Sequence, residues 1–316
     1  MKKQIKPRAV LLSKRANVFY LEHVRIMQKD DRVVYLTDTG ADVEQFFNIP
    51  ERNTAFLLLG KGSSLTDAAA RKLADSNVVI GFCGSGGSPL FCAADMTFLT
   101  TQSEYRPTEY MQGWIRLWLD EAKRVEAAKR MLKKRLDWTL ESWSGDAELL
   151  RRKIVLDDGL LRWFEQGISK TATTTELLSL EGMWAKRLYA KLTEGFRLSS
   201  FRREEGKGSH QTREDIVNNF LDHGNYIAYG YAAVVLNGLG ISFALPLLHG
   251  KTRRGGLVFD VADLVKDAYV MPLAFARGSA GVKQQAFRDE LIERWQDGSI
   301  LDRLFTFVEK LSQENI

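Results

Sequence analysis

The residues best suited to chemistry in this chain lie in one short segment of its C-terminal half. In order, the segment contains His249, Lys251, Arg253, Arg254, Asp260 and Asp263. An imidazole together with carboxylates is a ligand set for a divalent metal. Lysine and arginine side chains attract phosphate groups. A metal site beside a basic loop predicts chemistry on a phosphate-containing substrate.

A fourth candidate ligand, Glu181, lies far upstream, beside the apolar stripe formed by Leu177, Leu178 and Trp184. A carboxylate near a core face costs free energy unless it is paired or binds a metal. The alternative is a surface glutamate at the edge of the stripe. Asp260 and Asp263, three residues apart, share one face if the segment is helical. Helix capping and dipole complementarity are their alternative roles.

The donor types indicate which metal such a site prefers. Carboxylate oxygens with one imidazole favour Mg²⁺ or Mn²⁺, whereas a structural zinc site is richer in cysteine. The two cysteines, Cys83 and Cys92, flank a glycine-rich turn in an apolar region. They are expected to be reduced and buried, with a disulfide as the alternative.

The composition is that of a globular protein. The 316 residues are 45% hydrophobic and 27% charged, with a net charge of +5 and a pI near 9.1. This mild excess of basic residues permits a nucleic-acid partner without requiring one. No apolar run reaches the ~20 residues that span a bilayer. We therefore expect a cytoplasmic protein with no membrane association.

Hydrophobic periodicity predicts an α+β protein in two parts, a β-rich domain over residues 1–100 and a larger, all-helical domain over residues 101–316. The first part should contain a hairpin with its turn at Asp30 and Asp31, strands at 55–59 and 78–83, and a helix over 66–76. Residues 60–64 lack the spacing of a phosphate-binding loop and are expected to form a tight turn.

Helical spacing continues through most of the second part. It predicts helices over residues 114–135, 147–168 and 177–189, a helix that begins at about Thr212 or Asp215, and a separate small-residue helix over 227–236. Residues 123–135 contain seven lysines and arginines. They form either a solvated helix face or a surface that contacts phosphates. The charged, glycine-bearing loop over 201–210 is expected to be exposed, with His210 solvated.

Several separated motifs resemble one known family. They are the Leu-Glu-Gly around Glu181, the His-Gly-Lys that begins at His249 and the Ala-Asp-Leu around Asp263, together with residues 19–25, 48–50, 53–60 and 222–226. In this order they resemble the CRISPR-associated spacer-acquisition endonuclease/integrase, the first of the numbered Cas proteins, and subtype I-F in particular.

The resemblance implies a site, a reaction and partners. It implies that Glu181, His249 and Asp263 bind Mg²⁺ or Mn²⁺, with Asp260 as a further catalytic acid. It implies CRISPR adaptation: the 3′-hydroxyl of captured DNA attacks a phosphodiester of the CRISPR repeat. Partners would be duplex or branched DNA (repeat and prespacer), a second copy of the chain that pairs through the N-terminal domain, and the second numbered Cas protein, fused to the interference helicase–nuclease.

Lys251, Arg253 and Arg254 are predicted to contact the DNA backbone beside this site. Two other functions remain open on the residues alone. The chain could be a non-catalytic basic module that binds DNA or assembles with a partner, its acids serving as caps. It could also be a metal-dependent hydrolase of small phosphate esters. Metal-dependent processing of DNA distinguishes the integrase from both.

Overall fold

The computed structural model describes residues 10–37, 45–83, 108–204, 212–249 and 255–314. The chain divides into two compact units, Met1–Tyr105 and Arg106–Ile316. The boundary expected at residue 100 falls outside the described residues, as do Cys92 and His210. An N-terminal β-sheet region followed by a mostly helical part confirms the predicted α+β class.

In the first unit, the described strands form two sheets. They are β1 (Asn17–Leu21), β2 (Val24–Lys29), β3 (Arg32–Thr37), β4 (Phe46–Ile49), β5 (Thr54–Leu59), β6 (Ser64–Leu65) and β7 (Val79–Phe82). One sheet has the parallel order β1-β5-β7, and the other has the order β4-β3-β2-β6. Every residue of β5 is buried, as expected for the central strand of a parallel sheet.

The predicted hairpin is formed by β2 and β3, which pair antiparallel around Asp30 and Asp31. Both turn residues have positive φ, 47° and 61°, which two-residue hairpin turns of the favoured type require. The first run of the pattern, residues 18–26, is divided by His23 at φ 53° into strands of different sheets. Alternation identified the strands here but not the break between them.

One core joins the two sheets to helix α1 (Asp67–Asp75). Ile26 and Ile49 from one sheet and Leu57 from the other are fully buried in it, with Leu73 of the helix. The helix begins where it was predicted, because the Thr66 side chain accepts a hydrogen bond from the Ala69 N–H. Residues 61–62 form the expected turn between β5 and β6.

In the second unit, the regular structure of the described residues is helical. Its elements are α2 (Glu109–Leu119), α3 (Glu121–Gly145), α4 (Ala147–Arg151), α5 (Asp158–Lys170), α6 (Thr174–Gly195), α7 (Arg213–Gly238), α8 (Gly256–Val265), a π-helical segment (Lys266–Val270), α9 (Met271–Ser279), α10 (Gln284–Asp297) and α11 (Ile300–Gln313). Helix α7 packs against α8, α9, α10 and α11 and is buried along most of its length.

Three helix predictions in this unit were wrong in their boundaries. The helix expected over 114–135 is two helices, because α2 ends before Asp120 and the Asp120 carboxylate caps α3 by accepting from the Lys123 N–H. The helix expected over 147–168 is interrupted after Arg151 and restarts at Asp158, where the Asp157 carboxylate caps the new helix through the Leu160 N–H. The two helices expected between residues 212 and 236 are one, α7. Its glycines are tolerated because the helix lies in the core, where packing outweighs their low helix propensity.

Capping side chains determine where two of the long helices in this unit start. Thr173 and Glu176 form a capping box at the start of α6, and Thr212 and Asp215 form one at the start of α7. Among the described residues, no helix combines the length and apolar character needed to cross a bilayer. The Cys83 side chain is buried.

Gly113 allows α2 to approach α11 closely. A Cβ atom at this position would lie 1.9 Å from the Ser312 carbonyl oxygen, which belongs to a helix backbone. We expect Gly113→Ala to lower the free energy of unfolding by about 1–3 kcal/mol, since overpacking forces a backbone shift.

Gly145→Ala is the matched control, because a Cβ atom there meets nothing within 4 Å. It should leave stability unchanged or raise it by up to about 1 kcal/mol through helix propensity. Chemical denaturation of both variants measures the difference. Equal stabilities of the two variants would contradict the close approach of α2 and α11.

Candidate active site

The four candidate side chains come from three separated parts of the helical unit. Glu181 is the eighth residue of α6, Asp260 and Asp263 lie on α8, and His249 is the last described residue before residues 250–254. Asp260 and Asp263 are 2% and 5% exposed. Burial of both acids on the same helix requires partners for each.

Asp260 holds the backbone that carries His249. Its Oδ2 accepts hydrogen bonds from the N–H groups of Leu247 and Leu248, at 2.5 and 3.1 Å. Its Oδ1 accepts from the His249 N–H at 3.0 Å and lies 2.7 Å from His249 Nδ1. Because both oxygens face this loop, Asp260 does not cap its own helix.

The loop before His249 is fixed from two further sides. The indole N–H groups of Trp114 and Trp118 on α2 donate to the carbonyl oxygens of Leu245 and Pro246, at 3.1 and 2.8 Å. A Cβ atom on Gly256 would lie 2.7 Å from the His249 carbonyl oxygen. The glycine therefore permits the first turn of α8 to lie directly against the loop.

His249 directs its second ring nitrogen toward Asp263. Nε2 lies 3.8 Å from Asp263 Oδ2, while Nδ1 is engaged by Asp260. Burial disfavours the charged imidazole, but the hydrogen bond with Asp260 and the charge of Asp263 outweigh burial and raise the pKa of His249. A histidine fixed at Nδ1 by a carboxylate presents Nε2 as a ligand.

Asp263 is surrounded by cations. It forms an ion pair with Lys266 on the following turn, and its Oδ2 lies 3.9 Å from Arg135 Nη1. Burial raises the pKa of a carboxyl group, but here Lys266, Arg135 and His249 outweigh burial and lower the pKa of Asp263. The side chain is therefore ionised at neutral pH, as metal ligation requires.

Arg135 of α3 connects Glu181 to this group. Its Nη1 donates to Glu181 Oε1 at 2.6 Å, and its Nε and Nη2 donate to the two oxygens of Asp267 at 2.5 and 2.8 Å. Arg135 is only 2% exposed. Burial opposes its charge, but Asp267, Glu181 and Asp263 raise its pKa well above the ordinary value.

Asp267 is the acid that sequence reasoning missed. It is fully buried, its Oδ2 accepts from the Trp184 indole at 2.9 Å, and its backbone carbonyl accepts from the Trp143 indole at 2.9 Å. It lies in the π-helical segment, directly after α8. Its position four residues after Asp263 was a signal that it shares that helix face.

Arg135 was interpreted as part of the basic stretch over residues 123–135. Its spacing from the buried residues Ala128, Met131 and Leu132 is the signal that assigns it to the buried face of α3. Three of the other six cations are paired: Arg124 with Glu121, Arg130 with Glu126 and Glu314, and Lys134 with Asp137. This pattern favours the interpretation of a solvated helix face.

The donor set fits a divalent cation in type. Glu181 and Asp263 both approach Arg135 Nη1, and Asp263 also approaches His249, so the three point toward a common region. Within the described ranges, no three histidine, cysteine or acidic side chains lie close enough together to hold an ion as they stand. Lys266 is instead paired with Asp263, and Arg135 is paired with Glu181. Lys251, Arg253 and Arg254 lie outside the described residues.

Comparisons with known proteins identify the family. A family model described as "CRISPR associated protein Cas1" matches residues 19–291. The chain is 42% identical to the CRISPR-associated endonuclease Cas1 of Pectobacterium atrosepticum, over 93% of this chain and 91% of that protein. It is 41% identical to the protein of the same name from Pseudomonas aeruginosa, over 98% of this chain and 96% of that protein.

Solved structures share the fold. The TtCas1–DNA complex matches with a TM-score of 0.68 at 22% identity, over 94% of this chain and 92% of that one. A casposase bound to integration product matches with a TM-score of 0.69 at 14% identity, over 95% of this chain and 91% of that one. A Cas6-RT-Cas1–Cas2 complex matches at 0.67 and 13% identity, over 94% of this chain and 34% of that longer one.

The family model covers most of the chain, and both relatives exceed 40% identity over nearly their full length. The motifs that first suggested the family, around Glu181, His249 and Asp263, lie within the matched residues. The chain belongs to the CRISPR-associated Cas1 endonuclease family.

Proposed function

We propose that this endonuclease acts in CRISPR adaptation as a metal-dependent integrase. The 3′-hydroxyl of a captured DNA fragment attacks a phosphorus atom of the CRISPR repeat, so that one P–O bond forms and the bond to the leaving 3′-oxygen breaks. The observation that carries the proposal is the approach of His249 Nε2 to within 3.8 Å of Asp263 Oδ2. Glu181 faces the same group of charges through Arg135.

The ligands in this proposal are Glu181, His249 and Asp263, and the ion is Mg²⁺ or Mn²⁺. Four carboxylates (Glu181, Asp260, Asp263 and Asp267) face two fixed cations, Arg135 and Lys266. The remaining negative charge suits a divalent ion. When bound, the ion supplies activation of the attacking hydroxyl and stabilisation of the developing charge on phosphate.

The remaining side chains orient the ligands. Asp260 fixes the ring of His249 through Nδ1 and leaves Nε2 for coordination. Arg135 holds Glu181 at 2.6 Å while Asp267 holds Arg135 in two places. Because these partners lie on helices, the donors start near one geometry rather than being ordered at the moment of binding.

DNA is the proposed substrate, as duplex or branched prespacer and as CRISPR repeat. Lys251, Arg253 and Arg254 follow His249 directly in the sequence, which suits contact with the phosphates beside the scissile bond. The fold shared with the TtCas1–DNA complex and with the casposase supports DNA as the substrate and integration as the reaction. A homodimer that forms through the N-terminal unit completes the proposal.

The protein partner is the second numbered Cas protein, fused to the interference helicase–nuclease as in subtype I-F. Identity above 40% to the Pectobacterium and Pseudomonas relatives supports this subtype, and the Cas6-RT-Cas1–Cas2 complex supports a partner of this kind. Co-purification of the full-length proteins tests the assembly.

A non-catalytic DNA-binding module is the second candidate, because Asp263 and Glu181 already have the cationic partners Lys266 and Arg135. Branched DNA incubated with Mn²⁺ or with a chelator separates the two. Cleavage and strand joining that require Mn²⁺ support the integrase. Salt-sensitive binding without cleavage in both conditions supports the module.

His249→Ala and Asp263→Ala should each reduce Mn²⁺-dependent cleavage of branched DNA by more than about a hundredfold, since even outer-shell partners of a metal contribute about 10–100-fold. DNA affinity, measured by fluorescence anisotropy, should change little. Asp297→Ala, an exposed aspartate at the end of α10, is the control. A variant that cleaves at the normal rate removes that residue from the site.

Asp260→Asn keeps the shape of the side chain but replaces one acceptor oxygen with an amide that cannot accept the N–H groups of residues 247–249. We expect Mn²⁺ affinity, measured by calorimetric titration, to fall by about 10–100-fold. Asp297→Asn should leave it unchanged. Unaltered Mn²⁺ affinity in Asp260→Asn would show that the hydrogen bonds of Asp260 do not orient His249.

Arg135→Gln leaves Asp267 buried without its cation, and we expect the free energy of unfolding to fall by about 3–5 kcal/mol. Lys133→Gln on the same helix is the control, because this exposed side chain should contribute within about 0.5 kcal/mol. Urea denaturation measures both. Equal effects of the two substitutions would contradict the central position of Arg135.

A further inference from the structure

A second concentration of positive charge lies away from the candidate active site. The end of α4, the following turn and the end of α6 line a groove of about 640 Å³, which we name the α4–α6 groove. Its lining residues are Arg151, Arg152, Lys153, Ile154, Val155, Lys191, Glu194, Gly195 and Arg197. Five cations thus face one carboxylate, in a protein whose whole net charge is +5.

Three of these cations are available to a ligand. Arg152 interacts with Glu148 and with the Phe196 ring, and Lys191 lies 2.6 Å from Asp157. Arg151, by contrast, reaches Glu148 only at 3.9 Å and is 74% exposed. Lys153 and Arg197 are exposed and have no ion-pair partner in the part of the chain that the structure describes.

The backbone fixes where Lys153 and Arg197 lie. Each follows the last turn of a helix with positive φ, 60° and 55°. In each case the N–H group of the next residue completes the C-terminal cap of the helix. Ile154 donates to the Leu149 carbonyl at 2.9 Å, and Leu198 donates to the Thr193 carbonyl at 3.0 Å. Glycine is the residue best suited to this conformation. Both positions nevertheless carry a long cationic side chain.

The two helix ends are packed together. A Cβ atom on Gly195 would lie 2.2 Å from Ile154 Cγ1, so α6 touches the turn after α4 directly. This contact keeps Lys153 and Arg197 on the same groove. Their spacing is therefore a property of the fold and not only of flexible side chains.

We propose that the α4–α6 groove binds the phosphodiester backbone of duplex DNA; this inference rests on the proposed function. Positive charges at the ends of two helices can contact successive phosphates of a DNA backbone. The groove has no exposed aromatic side chain in its lining, since Phe196 beneath Arg152 is buried, so it offers no surface for stacking unpaired bases. Duplex backbone contact is therefore favoured over single-strand binding.

The groove lies along the same helix as Glu181. Arg197 follows Glu181 by sixteen residues, or about 24 Å at the helical rise, most of it along α6. This separation corresponds to about seven base pairs of duplex. A duplex in the groove would thus be held at a distance from the reacting bond, and the contact contributes to affinity rather than to chemistry.

The test replaces both Lys153 and Arg197 with glycine. Lys153→Gly/Arg197→Gly removes two charges and relieves the positive-φ backbone, so the double variant should keep or raise the melting temperature. Binding of a short duplex of mixed sequence is measured by anisotropy across a salt series. We expect the slope of log affinity against log salt to become shallower by about 2, because two phosphate contacts are lost.

Lys283→Ala/Lys310→Ala removes the same charge from two exposed positions, one just before α10 and one on α11, and should keep the original slope. The same decrease in slope in this control, or an unchanged slope in the glycine variant, overturns the proposal that the α4–α6 groove binds duplex DNA. An unchanged slope with lost capture of the Cas2-type partner assigns the groove to that protein and also overturns the proposal. No salt-dependent binding by the unaltered protein would instead refute the proposed function.

Discussion

The buried Arg135 guanidinium is the charge around which the acidic centre of the helical unit is assembled. A buried cation is tolerated only when its donors are used, and this one donates to both oxygens of Asp267 and to Glu181. The planar fork of arginine allows this arrangement, which the single ammonium group of lysine could not reproduce. Since Asp267 also accepts from Trp184, the network connects α3, α6 and the π-helical segment. The placement of Glu181 depends on this interaction.

His249 is positioned by a different device, a carboxylate that binds a loop. Asp260 uses both oxygens to hold three consecutive N–H groups and one ring nitrogen, while the tryptophans of α2 hold the preceding carbonyls. Asp260 and Asp263, only three residues apart, therefore have different roles. Asp260 orients His249, whereas Asp263 lies beside His249 Nε2, Arg135 and Lys266. Buried carboxylates thus contribute to the site in distinct ways that their shared residue type does not reveal.

The charge of a segment in the sequence and the charge available to a ligand differ widely in this protein. Residues 123–135 contain seven cations, yet most are paired with neighbouring acids or, for Arg135, buried. The α4–α6 groove has fewer cations in each sequence segment, but helix ends distant in sequence bring them together. A nucleic-acid surface depends on unpaired, exposed cations. Only packing determines which cations remain in that state.

The sequence by itself determined the α+β class, the approximate helix starts near residues 66 and 212, and the motifs around Glu181, His249 and Asp263 that identify the family. These depend on local patterns: periodicity, capping side chains and short spacings. The tertiary structure alone decided that Arg135 is buried, that Asp267 is its partner and that Asp260 holds a loop instead of capping a helix. It also decided the break after Arg151 and the division of the first strand pattern between two sheets. Periodicity tells which face of a helix is buried, but the partner across that face depends on how distant segments pack.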